Sequence, residues 1–374
     1  MEIPGFVGPS NTLASPLADV ERTVNLFTER TAPGTGKTAT YLRGTPGVRP
    51  RLSCLDQPVR GLFYQDGRAF AVAGARFVEL FESGLVTNRG TVDEDTLPAS
   101  FASNGSAGNQ VLVISAGKGY IFDLLANTLS AALGADFPAD ASMCAFMDGY
   151  FLVLIKNSRR FQISALEDGT SWDALDVAER SEGSDNIVSM IRNHREIWFL
   201  GSQTTEVWYD NGDPLFPFAP IQGVFLETGC AAPFAAVRAD NTVVWLDQDE
   251  RGAGLVRRAD GYTPVRISTY AVEKALATAS DTNLALAVAF AEVTQGHTFY
   301  WLYVPELTTT WVYDSSEGLW HERAIWNATD CVFEPHVAVN HCFAWNVHLV
   351  GDRLSDQVYT LSLDYYDDQI VPPA

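Results

Sequence analysis

The sequence predicts an all-β chain, a β-propeller of about seven blades with an irregular, proline-rich N-terminal arm. The first observation behind this is a phrase written seven times between Arg60 and Asp364: a turn, a strand of aromatic and β-branched residues, a polar break and a second strand. The opening turns are Asp66-Gly67, Gly108-Asn109, Asp148-Gly149, Asn193-His194, Asp240-Asn241, Gln295-Gly296 and Asn340-His341. Their spacing, the second observation, is roughly 40 to 55 residues, the length of a four-stranded propeller blade. The third is that opening strands such as Gln110-Val-Leu-Val-Ile-Ser, Tyr150-Phe-Leu-Val-Leu-Ile and Thr298-Phe-Tyr-Trp-Leu-Tyr-Val are apolar on both parities. Such strands are buried on both faces. An isolated hairpin is marginal in water, so each unit must stack on its neighbours.

Three segments follow in chain order. Residues 1–58 form an extended arm holding seven of the 18 prolines and one short apolar run, Thr23-Val-Asn-Leu-Phe. Proline fixes φ and removes a donor, so this arm lies across other structure instead of forming a core. The propeller occupies 59–368. A helical phrase, Tyr270-Ala-Val-Glu-Lys-Ala-Leu-Ala, interrupts it between the fifth and sixth units. Residues 369–374 form an exit segment ending in Pro372-Pro373-Ala374.

Composition narrows the function. At 374 residues, 47% hydrophobic and 11% aromatic, the chain can bury a large core. No run of 18 apolar residues offers a membrane anchor, and the start lacks a signal-peptide pattern. Five scattered cysteines (Cys54, Cys144, Cys230, Cys331, Cys342) show no disulfide framework and suit synthesis in a reducing cytoplasm. A net charge of −21 opposes loose adhesion to nucleic acid or anionic membrane.

The chemical motifs are weak. Thr31-Ala-Pro-Gly-Thr-Gly-Lys-Thr38 resembles a phosphate-binding P-loop, but Thr31 stands where a glycine is required and no βαβ pattern follows. Ser164 to Trp172 approaches the Asp-box turn of sialidase-like propellers, but Asp168 and Gly169 are adjacent where that turn has a residue between them. Cys331, His336, His341, Cys342 and His348 gather metal-ligating types within 18 residues, yet they fall on both parities of two strands. No catalytic, cofactor or metal residue is assigned on these grounds.

Several phrases, collinear over most of the chain, resemble the packaged-DNA-stabilisation proteins (tail accessory or head-completion factors) of short-tailed bacteriophages. They include Phe6-Val-Gly-Pro-Ser10, Asp19-Val-Glu-Arg-Thr-Val-Asn-Leu-Phe27, Leu42-Arg-Gly-Thr-Pro-Gly-Val48, Ala178-Glu-Arg-Ser-Glu-Gly-Ser-Asp185, Trp198 to Trp208, Thr228 to Phe234 and Trp311-Val-Tyr-Asp314. The resemblance implies a structural virion protein with no enzymatic activity and no cofactor. It implies a tail-hub subunit in a homo-oligomeric ring under the portal, stabilising packaged DNA and joining the head to adaptor, spike and needle proteins. It places the protein in the virion neck after assembly in the host cytoplasm, with DNA passing nearby and no sequence-specific contact. The family commonly continues into a second, smaller β domain, a departure that bears on the spike and needle contacts. The competing readings are a propeller scaffold or carbohydrate-binding module, and a sialidase-like hydrolase.

The arm supplies the interaction residues: Phe6, Asp19, Arg22, Asn25, Leu26 and Phe27. It is expected to reach a neighbouring subunit, because Arg22 and Asn25 offer polar groups that a simple edge strand does not need. The glycine-lysine turn should be inert. Lys37→Ala should shift unfolding free energy by no more than about 0.5 kcal/mol, as for an ordinary surface change. Saturable ATP binding abolished by that substitution would restore the nucleotide reading.

Overall fold

The seven sheets follow one another along the chain and close into a seven-bladed β-propeller. The structure is a computed structural model that describes residues 7–13, 20–31, 39–55, 57–130, 133–248, 252 and 254–371. Blades one to six occupy residues 59–91, 100–130, 141–179, 187–226, 236–266 and 288–335. Each is an antiparallel meander running outward from the innermost strand. Blade six carries a fifth strand, Val332–Pro335. Blade seven draws three strands from the C-terminal end, Ala338–Ala344, Val347–Asp352 and Gln357–Ser362. Its outer strand, Gly47–Ser53, comes from the N-terminal end and pairs antiparallel with Gln357–Ser362. The sequence reading put these seven residues in the arm; the hydrogen bonding puts them in the propeller.

The repeated phrase corresponds to the two middle strands of each blade. In blade one these are Arg68–Ala73 and Arg76–Leu80. Their alternation explains the continuous apolar runs. Phe70 and Val72 face blade two, where they meet Val111 and Val113, whereas Ala69, Ala71 and Ala73 face blade seven. Leu112 and Ile114 then face blade three. Because side chains alternate with period two, each strand serves two seams. The buried residues accordingly fall into seven hydrophobic clusters, one at each junction of neighbouring blades. The helix Tyr270–Leu276 lies between blades five and six as the sequence indicates, burying Val272 and Leu276 at that junction.

Five of the seven expected turns join the innermost strand to the second, and at the fourth Asn193 ends the strand, so that the turn is His194-Arg195. At Asp66-Gly67 and Asp148-Gly149 both residues have positive φ, the left-handed backbone of a tight hairpin turn. The seventh requires correction. Asn340-His341 lies inside the innermost strand Ala338–Ala344, beside a register shift between Ala338 and Asn340. The turn is Trp345-Asn346, at φ +49° and +61°. Tryptophan in that region is not a turn signal. Packing holds it there: Arg51 lies 5.8 Å over its ring, and Nε1 donates to Gly67 O of blade one.

Removing residues 1–44 should leave one cooperative thermal transition at a lowered Tm, since the closing strand survives. Removing residues 1–54 should abolish that transition, because Gln357–Ser362 loses its partner and the ring opens. Circular dichroism melting distinguishes the two, and a 1–54 deletion that melts like the full chain would contradict closure by this strand.

Candidate assembly interface at the joined chain ends

The arm lies against the chain's own sixth blade. Ser10 and the stretch Thr23 to Asn25 lie along the strand Leu319–Asn327, with Val24 in a parallel bridge to Glu322. Ser10 N–H donates to Trp320 O (2.9 Å), Glu322 N–H to Thr23 O (2.9 Å) and Asn25 N–H to Glu322 O (2.8 Å). The arm thus adds itself to an exposed strand edge. The Glu322 carboxylate, almost fully buried beneath it, accepts from Ser10 Oγ (2.9 Å) and from Arg22 Nε (3.1 Å) and Nη2 (2.5 Å).

Asn25 ends this pairing. At φ +56° it turns the chain away, in a region that asparagine tolerates better than most residues. Its side-chain amide then stands in for a peptide: Nδ2 donates to Ala324 O (2.8 Å) and Oδ1 accepts from Ala324 N–H (3.0 Å). Phe27 is buried at the junction of blades six and seven, edge-on to His297 (5.1 Å) and Phe299 (5.3 Å). Leu26 on the opposite face is exposed. The hairpin of Leu26–Arg30 and Thr40–Gly44 is closed by Arg43 on Glu29 (3.2 Å). Phe6, Asp19 and the segment 32–38 lie outside the described residues.

Arg22 is paired with Glu322 and Asn25 with Ala324 of the same chain. Both are committed within the chain. The physical reason is that the sixth blade presents a buried carboxylate and backbone groups of Trp320, Glu322 and Ala324, which need partners more than a solvated surface does.

Arg323 joins the chain ends. Its buried guanidinium donates to Asn25 Oδ1 (3.2 Å), Thr45 Oγ1 (2.5 Å), Pro46 O (2.9 Å) and Asp368 Oδ1 (3.2 Å), and lies 5.5 Å over the Trp301 ring. His336, fully buried beside it, has Nδ1 3.2 Å from Ala338 N and Nε2 3.1 Å from Arg323 Nη2 and 3.7 Å from Asp368 Oδ2. Burial opposes ionisation of Asp368, but Arg323 and His336 win and hold its carboxyl well below the usual range. The tail continues along the closing strand, with Arg49 on Asp367 (2.5 Å) and Gln369 N–H on Val48 O (3.0 Å). Gly47 is required by this approach: a Cβ there would stand 2.5 Å from Asp367 O.

The same junction buries further ionisable groups. Burial, with the charges of Arg323 and His297, pushes His321 down to about 3, and a bond to Asp314 (2.7 Å) raises His297. Burial pushes Glu292 up to about 8, and neither of its carboxyl oxygens has a hydrogen-bond partner among the described residues. The sequence offered one signal of this cluster, the polar triplet His321-Glu322-Arg323 inside an otherwise apolar strand. Glu292 and Asp368 gave none.

One end of the central axis holds two adjoining cavities of about 380 and 360 Å3, which share Asp95, Leu97, Pro98 and Leu286. Arg60 there donates to Leu97 O and Gly74 O (both 3.0 Å) and Ser115 Oγ (2.9 Å), and pairs with Asp95. These bonds pin the segment that enters blade two. The residues Cys331, His336, His341, Cys342 and His348 do not converge, and among the described residues no three His, Cys, Asp or Glu side chains gather as a metal site. His341 Nε2 lies 2.9 Å from His348 Nδ1.

The sequence matches the phage-stabilisation family, described as bacteriophage P22 Gp10, beta-propeller, over residues 21–366. The chain belongs to that family. The match begins inside the arm, just before Arg22, and ends just before Asp367 and Asp368. No curated protein sequence matches. Solved structures share the fold at low identity. The extracellular domain of BT4673 from B. thetaiotaomicron aligns with a TM-score of 0.55 at 9% identity, covering 84% of this chain and 40% of that one. Virginiamycin B lyase from Staphylococcus aureus aligns at 0.53 and 11% identity, covering 82% and 95%. A streptogramin B lyase aligns at 0.53 and 8%, covering 85% and 98%. At such identities the likeness is one of fold alone. A phage structural propeller is therefore the class to which this chain belongs.

Glu292 gives the junction a pH signature. Its folded value lies above the ordinary 4.5, so the folded chain keeps a proton that the unfolded chain has lost between about 4.5 and about 8. Stability contributed through this group therefore falls as pH rises across that window and is level above it. Glu292→Gln keeps the shape without the proton, so its Tm should gain on the parent chain between pH 5 and pH 8.5. A parallel pair of Tm–pH curves would show that Glu292 ionises freely.

Proposed function

We propose that this protein is a head-completion or tail-hub subunit that forms a ring under the portal, stabilises packaged DNA and connects head to tail. Family membership across residues 21–366 is the observation that carries this reading. The partners in this proposal are the portal ring and the adaptor, spike and needle proteins, in the neck of a virion assembled in the host cytoplasm. The role is structural, with no catalytic step and no cofactor.

Two physical features support it. A closed propeller whose two chain ends are joined at Arg323 is a stiff body, suited to repeating around a ring. The net charge of −21 makes its surface repel phosphate, so DNA moving nearby slides and does not bind. A basic lining would bind the duplex by releasing counterions.

The test is removal of the gene from the phage that encodes it. Heads should fill and then lose their DNA, and adding back the purified chain should retain it, with the chain cosedimenting with portal-containing particles. Particles that keep their DNA and infect normally without the chain would exclude this role.

A further inference from the structure

The two faces of the disc differ in a regular way. Each blade runs outward as a meander, so the turns between its third and outer strands all emerge on one face, with the turns between the first and second strands. In the five consecutive blades one to five, that outer turn presents one large apolar side chain to solvent: Leu85, Leu125, Leu166, Leu215 and Tyr262. They are between 41% and 89% exposed. One exposed leucine is ordinary, but the same structural position filled in five successive blades is not. Among the described residues, the opposite face carries no such row. Its turns in blades one to four are Gly74-Ala75, Ala116-Gly117, 156–159 and 202–204, none of which holds a large apolar residue.

The tips are held in place. Leu125 N–H donates to Asp123 Oδ1 and Leu215 N–H to Asp213 Oδ1 (both 2.8 Å), while Phe81 N–H donates to Leu85 O (2.9 Å). Ordering them on binding therefore costs little. Between them stand exposed carboxylates, including Asp66, Glu82, Glu167 and Asp213. The exposed cation Arg195 on this face is tied to Asp148 (3.3 Å).

We propose that this face docks a partner protein whose surface combines apolar pockets with lysine and arginine. Charge decides among the occupants. A second copy meeting face to face would oppose two sets of carboxylates, and an anionic bilayer would be repelled by the same groups. A basic protein surface gains from both the leucines and the charges, which set the rate and register of association. The inference rests on the virion reading for the identity of the particle, and on the face itself for the chemistry.

The experiment uses DNA-filled heads lacking this protein, to which labelled full-length chain is added and binding is measured by sedimentation. Leu125→Ser/Leu166→Ser/Leu215→Ser should weaken binding by 30-fold or more with an unchanged melting curve. Leu286→Ser/Leu354→Ser on the opposite face should stay within about twofold, as exposed substitutions outside an interface do. Affinity of the parent chain should fall with added NaCl, and Asp66→Asn/Glu82→Gln/Glu167→Gln/Asp213→Asn should flatten that dependence. If the parent chain does not bind heads, the virion reading and this proposal both fall. If it binds and the triple leucine variant binds within threefold of it, or binding ignores salt, the docking face alone is overturned. Concentration-dependent self-association of the parent chain that the leucine variant loses would assign the face to a second copy instead.

Discussion

The antiparallel pairing of Gly47–Ser53 with Gln357–Ser362 is the constraint on which the rest of the molecule depends. A row of blades held only by neighbour contacts has two raw ends, each with a hydrophobic face and unpaired strand groups. Building blade seven from both chain ends removes them. Once the ring is closed, each of the seven seams is buried on both sides, and no blade can leave without opening two of them. The stabilisation of every seam is thus conditional on one strand pairing between residues some 300 positions apart, in a topology where closing that loop is slow but its cost grows only weakly with length.

Closure is reinforced by charge where the other seams use shape. Most seams are packed with Phe, Val, Leu and Ala, as at Phe70, Phe77 and Phe122 between blades one and two. Between blades six and seven the aromatic core around Phe27 and Trp301 shares space with Arg323, His336, Asp368 and Glu292. A buried guanidinium is costly unless its donors find partners, and Nη1 and Nη2 of Arg323 find theirs on the arm, the start of the closing strand and the tail. The cost of burying it becomes a requirement that all three segments be present together. That is a specificity device at the seam where the two chain ends meet.

The polar investment at one rim leaves the disc faces free to differ. One end of the axis is pinned by Arg60 and its bonds to the segment entering blade two. The other carries apolar tips among carboxylates. For a structural phage protein, this separates the surfaces by chemistry: a locked rim, a repelling acidic exterior and one face suited to a partner.

The sequence alone determined the propeller and a count of about seven blades, because a strand buried on both faces is apolar at nearly every position and tight hairpin turns favour Asp, Asn and Gly. Gln110–Ser115 and Asp66-Gly67 state those requirements directly. It also determined the family, through collinear phrases from Phe6 to Trp320. It did not reveal the seventh turn, since Trp345 occupies a left-handed position that only its contacts with Arg51 and Gly67 make tolerable. The partners of the arm were equally hidden. Proline content showed that residues 1–58 lie on something, but which carboxylate Arg22 meets and which peptide Asn25 imitates depend on where blade six ends in space. Long-range pairing and the satisfaction of buried charge carry no local pattern, so ring closure, the Arg323 junction and the docking face belong to the tertiary structure.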